Sequence, residues 1–355
     1  MRYLVVLLLV VVFCMPIYAE NNFTEREVFF NNDTIKLSGT LSVPMGEGPF
    51  PAVVLITGSG PENRDEEVFG FKIFKIIAEH LSNNGIAVLR YDDRGVAKSE
   101  GNHSTATSLD FADDAIAAFK FLEQQEKINS EKCGMLGHSE GGIIATLSNK
   151  KHSAIDFIIF MASTAIPGDK IINFQIETIN KKAGKSDEEI AEIIAVQDMI
   201  YEAIRNDSDL SEVEQVLTDL TLKEIENMTD EEKEFITDPL QYAKYQTRIA
   251  MYKVKSVWFK YFITYDPGTD IESITAPVLI LFGGKDLQVP VELNKEPMES
   301  ALMKDGTKNF ETHVFPEANH LFQKADTGQY DEYTQLPKEF VDGFLETIAE
   351  WILKR

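Results

Sequence analysis

Cysteine is almost absent: two in 355 residues, at positions 14 and 133, cannot build a disulfide framework. Basic residues are scarce as well. Against 58 Asp and Glu stand 34 Lys and Arg, a formal net charge of −24. A surface that negative repels phosphate backbones and anionic membrane surfaces, which excludes nucleic acid as a natural partner. No HExxH, no cluster of Cys and His and no dinucleotide-type glycine motif occurs, so neither a metal nor an organic cofactor is expected. Internal repeats are missing too. With 44% hydrophobic and 26% charged residues, what remains is an ordinary globular composition, long enough for one large domain or a domain carrying an insertion.

The N-terminus is a separate object. Arg2 supplies a positive start, residues 4–15 form an unbroken apolar run of twelve, and Pro16 and Ala19 follow before Glu20. That run is too short to cross a bilayer comfortably and its flanks fit a secretory signal peptide. An uncleaved anchor is the competing reading. Cys14 raises lipoprotein processing, but Val12-Phe13 before it lack the small residues such a site presents. The expectation is export to the periplasm or the exterior, with cleavage near Ala19. The mature chain then inserts in no membrane and keeps one thiol, Cys133, which without a partner behaves as a small hydrophobe.

Past the leader, β and α patterns alternate. Residues 27–30 and 35–43 read as a hairpin around the turn residues Asn31-Asn32-Asp33. Short apolar runs follow at 52–56, 86–91, 133–136, 157–161, 278–282 and 310–315. Bounded by Gly, Asp or Pro, they suit strands buried on both faces of a mostly parallel sheet. Helical patterns lie between several of them, at 69–82, 108–126, 141–148 and 338–353. This alternation predicts an α/β fold with a central parallel sheet, flanking helices and an antiparallel hairpin at the N-terminus.

One stretch breaks the alternation. Between about 169 and 265 the sequence is helix-forming, with no convincing buried strand. Its part from 187 to 238 carries eighteen acids against Arg205, Lys223 and Lys233, the pattern of a solvated face. The part from 239 to 265 holds five bases, no acid and eight aromatics, among them Trp258, Phe259 and Phe262. Two readings stand for these aromatics: core at helical spacing, or the apolar face of a lid over a substrate pocket. The expected organisation is a leader at 1–19, a first core segment at 20–168, a helical lid at 169–265 and a second core segment at 266–355.

Chemistry concentrates at Gly137-His138-Ser139-Glu140-Gly141. The motif is G-x-S-x-G, and an apolar run ends directly before it while a small-residue helical pattern begins directly after. A strand-to-helix turn of this sort holds a serine hydroxyl above a sheet. Serine needs a base, and the base needs an orienting acid. Of the histidines after Ser139, His152 comes too soon and His313 falls inside a strand. His320 sits in the loop after that strand, at the carboxyl edge where the elbow also opens. The run 278–282 ends in Gly283-Gly284-Lys285-Asp286, which places Asp286 at the same edge; Asp270 and Asp305 end no buried run. For an oxyanion, the expected donors are the backbone N–H of Glu140 and of Ser59, with Gly60 in reserve, on the loop after 52–56. The Glu140 carboxylate is open between a structural role and contact with a substrate cation.

With these residues assembled, the chain resembles the α/β-hydrolase family, and more narrowly the exported bacterial esterase-like hydrolases of the serine aminopeptidase type with a helical lid. Carrying the likeness are Thr57-Gly58-Ser59-Gly60-Pro61, Arg64-Asp65, Arg90-Tyr91-Asp92-Asp93-Arg94-Gly95, the G-x-S-x-G segment, Gly283 to Asp286 and Asn319-His320-Leu321-Phe322. Thr57 and Ala97 depart from the residues many relatives carry there. The resemblance implies a triad of Ser139, Asp286 and His320; Asp92, Asp93 and Arg94 read as ion-paired loop structure. The function expected is hydrolysis of carboxylic esters of small or medium acyl groups through an acyl-enzyme. A peptidase acting on short peptides, or a non-catalytic binding protein on the same fold, are the alternatives. Trp258, Phe259 and Phe262 are the expected pocket aromatics. The sequence carries no signal for a particular oligomeric state.

Overall fold

The computed structural model describes residues 22–304 and 309–355; the expected leader at 1–19 and Asp305 lie outside them. The chain opens with the hairpin β1 (Phe23–Asn32) and β2 (Ile35–Pro44), closed by Asp33-Thr34 with Asp33 at φ 48°. A two-residue connection demands left-handed backbone, which Asp tolerates better than most residues. Next come β3 (Phe50–Ile56), the ribbon β4 (Glu67–Val68) with β5 (Phe71–Lys72), α1 (Ile73–Asn83) and β6 (Ala87–Tyr91). Then follow α2 (Ser108–Glu123), β7 (Ile128–His138), α3 (Glu140–Lys151) and β8 (Phe157–Met161).

After β8 the chain is helical through α4 (Gly168–Lys182), α5 (Asp187–Arg205), α6 (Ser211–Asn227), α7 (Asp230–Lys233), α8 (Pro239–Val254), α9 (Val257–Thr264) and α10 (Pro267–Ile271). It returns to the sheet with β9 (Val278–Gly283), α11 (Val291–Leu302) and β10 (Phe310–Phe315), and ends in α12 (Phe344–Leu353).

The eight-stranded sheet has the order β1-β2-β6-β3-β7-β8-β9-β10. From β6 to β10 all neighbours are parallel, and β2 runs antiparallel to both β1 and β6. This is the α/β-hydrolase fold. Every residue of β6, β8 and β9 is buried, because helices cover both faces; that is why these strands read as unbroken apolar runs. One face packs on α1 and α12 through Phe74, Ile77, Phe344 and Ile348. The other packs on α2 and α3 through Ala115, Phe119, Ile143 and Ile144.

Three local expectations change. The helix expected from 69 starts at Ile73, because residues 67–72 form the β4–β5 ribbon. The last helix starts at Phe344 rather than 338, after Gly343 at φ 80°. The run 310–315 is the edge strand, its residues half-buried or exposed and none fully buried, so His313 is a surface residue. An edge strand has a neighbour on one side only, and here helices do not cover both its faces.

Between β8 and β9 the helices build a small core of their own from Ile200, Tyr201, Val213, Met251, Val254, Phe259 and Ile263. None of the acidic side chains between 187 and 238 is buried. Ser186 and Glu189 form a capping box that starts α5, and Thr229 with Glu232 does the same for α7.

Candidate active site

Strand β7 stops at His138 and helix α3 begins at Glu140, so Ser139 alone makes the turn. It does so at φ 54°, ψ −119°, a conformation that costs an L-residue of order 1–3 kcal/mol. The glycines around it are required by contact. A Cβ on Gly137 would stand 2.1 Å from the Gly141 carbonyl oxygen, and one on Gly141 would stand 2.2 Å from the Ile56 carbonyl oxygen. Helix and strand therefore close to backbone contact behind the serine. Ser139 N–H donates to Met161 O on β8 at 2.9 Å, which ties the turn to the neighbouring strand.

Asp286 follows β9 and His320 follows β10, and the parallel pairing of these strands brings the two loops together. His320 Nδ1 and Asp286 Oδ2 are 2.8 Å apart, and both residues are 3% exposed. The other carboxylate oxygen, Oδ1, accepts the N–H groups of Gln288 and Val289 at 2.8 and 2.9 Å. With the aspartate as acceptor, Nδ1 is the donor of this bond and Nε2 lies outside it. Ser139 and His320 line one cavity of about 370 Å³. Among the described residues no hydrogen bond engages Ser139 Oγ; in apo sites such bonds are often long.

The loop after β3 packs against the serine: a Cβ on Gly58 would stand 3.3 Å from Ser139 Cβ. Gly58 N–H is already committed to Glu66 Oε1 at 2.8 Å. Ser59 lines the cavity, and its hydroxyl donates to Glu140 Oε2 at 2.7 Å. Glu140 is 3% exposed and, among the described residues, pairs with no cationic side chain. Its carboxylate also accepts Ser108 Oγ–H at 2.7 Å and Trp258 Nε1–H at 2.8 and 3.0 Å. Burial raises its pKa, against the pull of those donors. The side chain is thus a junction of four elements, among them helix α9.

Of the three charged residues at 92–94, two are ion-paired. Asp92 binds the Arg64 guanidinium, with Nε at 2.9 Å. Arg94 grips Asp114 through Nε and Nη2 at 2.6 and 2.9 Å. Asp93 departs from the expectation: it accepts Thr57 Oγ1–H and Glu62 N–H at 2.8 and 2.9 Å. Burial pushes its pKa well above the usual carboxylate range. Thr57 and Asp93 together hold the Ser59 loop in place.

Chain-order reasoning passed over the residue beside Ser139. His138 is buried, with Nδ1 2.8 Å from Glu66 Oε1 and Nε2 3.1 Å from the His320 carbonyl oxygen. Both ring nitrogens face oxygen atoms, an arrangement that favours the doubly protonated ring. Burial alone would lower its pKa, but the charge and hydrogen bond of Glu66, with the His320 carbonyl and the Asp286 charge, together raise it. Among the described residues Glu66 Oε2 is buried without a hydrogen-bond partner. Glu62 lines the same cavity, and burial, reinforced by the Glu66 charge, pushes its pKa up to about 7. Proximity to Thr57–Pro61 was the available sequence signal for these two acids.

Trp258 and Phe262 line the cavity, as do Tyr330 and Tyr333, which stack with ring centroids 5.3 Å apart. Phe259 is placed elsewhere. It is 4% exposed and packs with Tyr201 in the helical core, since one step along α9 turns it about 100° away from Trp258. Among the described residues no group of His, Cys, Asp and Glu could hold a metal, and no helix is long and apolar enough to cross a membrane.

The model for the family described as serine aminopeptidase, S33, matches residues 71–324. Esterase EstD of Thermotoga maritima is 28% identical over 342 residues, covering 96% of this chain and 70% of that one. The Pyrococcus furiosus esterase Pf2001 shares the fold with a TM-score of 0.57 at 16% identity, covering 94% of this chain and 91% of that one. The α/β hydrolase GrgF from Penicillium gives a TM-score of 0.54 at 17% identity, with coverage of 93% and 97%.

Proposed function

The chain belongs to the serine aminopeptidase S33 family of α/β-hydrolases, and from that premise we propose that it is a serine carboxylesterase acting on small or medium acyl groups. Ser139 Oγ attacks the ester carbonyl while His320 Nε2 takes its proton. Asp286 holds the imidazole in the tautomer that leaves Nε2 free and stabilises the imidazolium once formed. The tetrahedral oxyanion is received by the N–H groups of Glu140 and Ser59. Collapse expels the alcohol, which leaves with the proton from His320. Water then attacks the acyl-enzyme, with His320 again as base, and the carboxylic acid departs from a regenerated serine.

One observation carries this reading: the buried Asp286–His320 hydrogen bond, whose histidine lines the same cavity as a serine held in strained backbone at the head of a helix. The esterase names of the relatives support the choice of substrate. The helices from α4 to α9 serve as the lid, with Trp258 and Phe262 presented to the cavity. We further propose that the protein is exported, with the leader removed near Ala19; mass spectrometry of the secreted chain tests this through its N-terminal residue.

A second reading, cleavage of short peptides from a free amino end, draws on Glu62 and Glu66, two carboxylates lining the cavity; among the described residues neither pairs with a Lys or Arg, and Glu66 holds His138 through Oε1 alone. The purified protein, offered p-nitrophenyl acetate through octanoate beside alanine and proline p-nitroanilides, separates the two. Ester cleavage that disappears in Ser139→Ala supports the esterase. Dominant anilide cleavage moves the assignment to a peptidase, and silence on both substrates overturns the catalytic reading.

A further inference from the structure

Behind Trp258 lies a second groove. It is lined by Gly60, His103 and Ser104 on one side and by Tyr252, Lys255 and Ser256 on the other. Ser59, Lys253 and Trp258 line both this groove and the catalytic cavity, and the indole is the bulkiest of the three. The two spaces hold about 370 and 530 Å³, so the wall between them divides a volume larger than either.

The indole is not free to swing. Its Nε1–H is bound to both oxygens of the Glu140 carboxylate, its face stacks on Phe262 with centroids 5.2 Å apart and planes 14° apart, and the Lys253 ammonium lies 6.0 Å from its centroid. Glu140 in turn is the first residue of α3 and neighbours the serine, so the wall is fastened to the elbow itself. A charged acceptor makes this hydrogen bond stronger than a neutral one.

We propose that Trp258, pinned by the Glu140 carboxylate, is the partition that sets the longest alkyl chain the enzyme accepts, and that the groove behind it is a latent extension of the substrate site. A hydrocarbon chain fits that extension, because the wall is flanked by Tyr252, the Trp258 edge and the aliphatic stems of Lys253 and Lys255. Trp258 is here a specificity-determining residue and Glu140 a positioning residue acting through it. The inference rests on the esterase reading of the site.

The test compares kcat/KM for p-nitrophenyl dodecanoate and butyrate in the wild type, Trp258→Ala and Glu140→Ala. Opening the partition lets further methylenes leave water, and two of them are enough for about tenfold. Trp258→Ala is therefore expected to raise the dodecanoate-to-butyrate ratio about tenfold or more. Glu140→Ala, which frees the indole without removing it, shifts the ratio in the same direction by less. Labelling of Ser139 by a fluorophosphonate shows that each variant has a folded site; should Trp258→Ala fail to fold, Glu140→Ala carries the test with the same sign. A ratio within twofold of wild type in a labelled variant overturns the partition. Failure of the wild type to hydrolyse any ester overturns instead the reading on which it rests.

Discussion

The backbone at Ser139 offers a test that activity alone cannot give. At φ 54°, ψ −119° the serine is held where only glycine is comfortable, and the strain is of order 1–3 kcal/mol. Ser139→Ala removes the hydroxyl and keeps the Cβ, so it keeps the strain. Ser139→Gly removes both. Glycine gains conformational freedom in the unfolded chain, which costs about 0.4–1 kcal/mol. The balance favours Ser139→Gly over Ser139→Ala by about 1 kcal/mol. A chain of this size has an unfolding entropy near 0.7 kcal/mol/K, so that difference corresponds to about 1.5 °C in Tm. Urea titration and calorimetry on both variants read it, with ester hydrolysis measured beside them. Both variants should be inactive if Ser139 is the nucleophile, and the glycine variant should be the more stable. A glycine variant less stable than the alanine one would refute the strain argument, whereas activity surviving in either would refute the nucleophile.

Three further outcomes follow from the same contacts. Asp286→Asn keeps an acceptor for the Gln288 and Val289 amides but offers His320 the wrong tautomer; kcat on p-nitrophenyl butyrate should fall by roughly 10³–10⁴, and a loss under tenfold would argue against the role proposed for Asp286. Arg94→Ala leaves Asp114, 2% exposed, with Asn32 as its remaining side-chain partner. The loss should be about 3–5 kcal/mol at pH 7 and shrink in acid as Asp114 takes up a proton; urea midpoints at pH 5 and pH 7 that show equal losses would contradict this. Glu62, at about 7 against an ordinary 4.5, binds more proton when folded than when unfolded, so its contribution to stability falls as pH rises from about 4.5 through 7. Glu62→Gln should therefore gain on the wild type between pH 5 and pH 8 in urea titrations, and a constant difference would be evidence against the shift.

Much of this architecture is local and therefore legible in a single chain. Strands β6, β8 and β9 are buried on both faces and announce themselves as short apolar runs. The turn at Ser139 announces itself because Gly137 and Gly141 admit no Cβ, and the order of serine, acid and histidine follows the order of strands in a parallel sheet. Asp286 and His320 could be picked out because each closes the loop after a strand, and parallel neighbours put such loops side by side.

Other features depend on partners distant in sequence. That β10 lies at the edge of the sheet, and so exposes His313, is a matter of strand order rather than of its own residues. Glu140 and Trp258 are 118 residues apart, and no spacing rule joins them; their bond exists because α9 folds back over the loop after β3. Phe259 and Trp258 are adjacent aromatics with equal claims in the sequence, and only the packing of α9 on Tyr201 decided which one faces the cavity. His138 and Glu66 likewise meet across the sheet edge. Local pattern determined the elements and the residues proposed here to carry the chemistry, since propensity, burial periodicity and the steric demand of a tight turn act over a few positions. Tertiary structure alone decided the walls of the cavity and the charge state of its buried groups, since both arise from contacts between segments brought together only by folding.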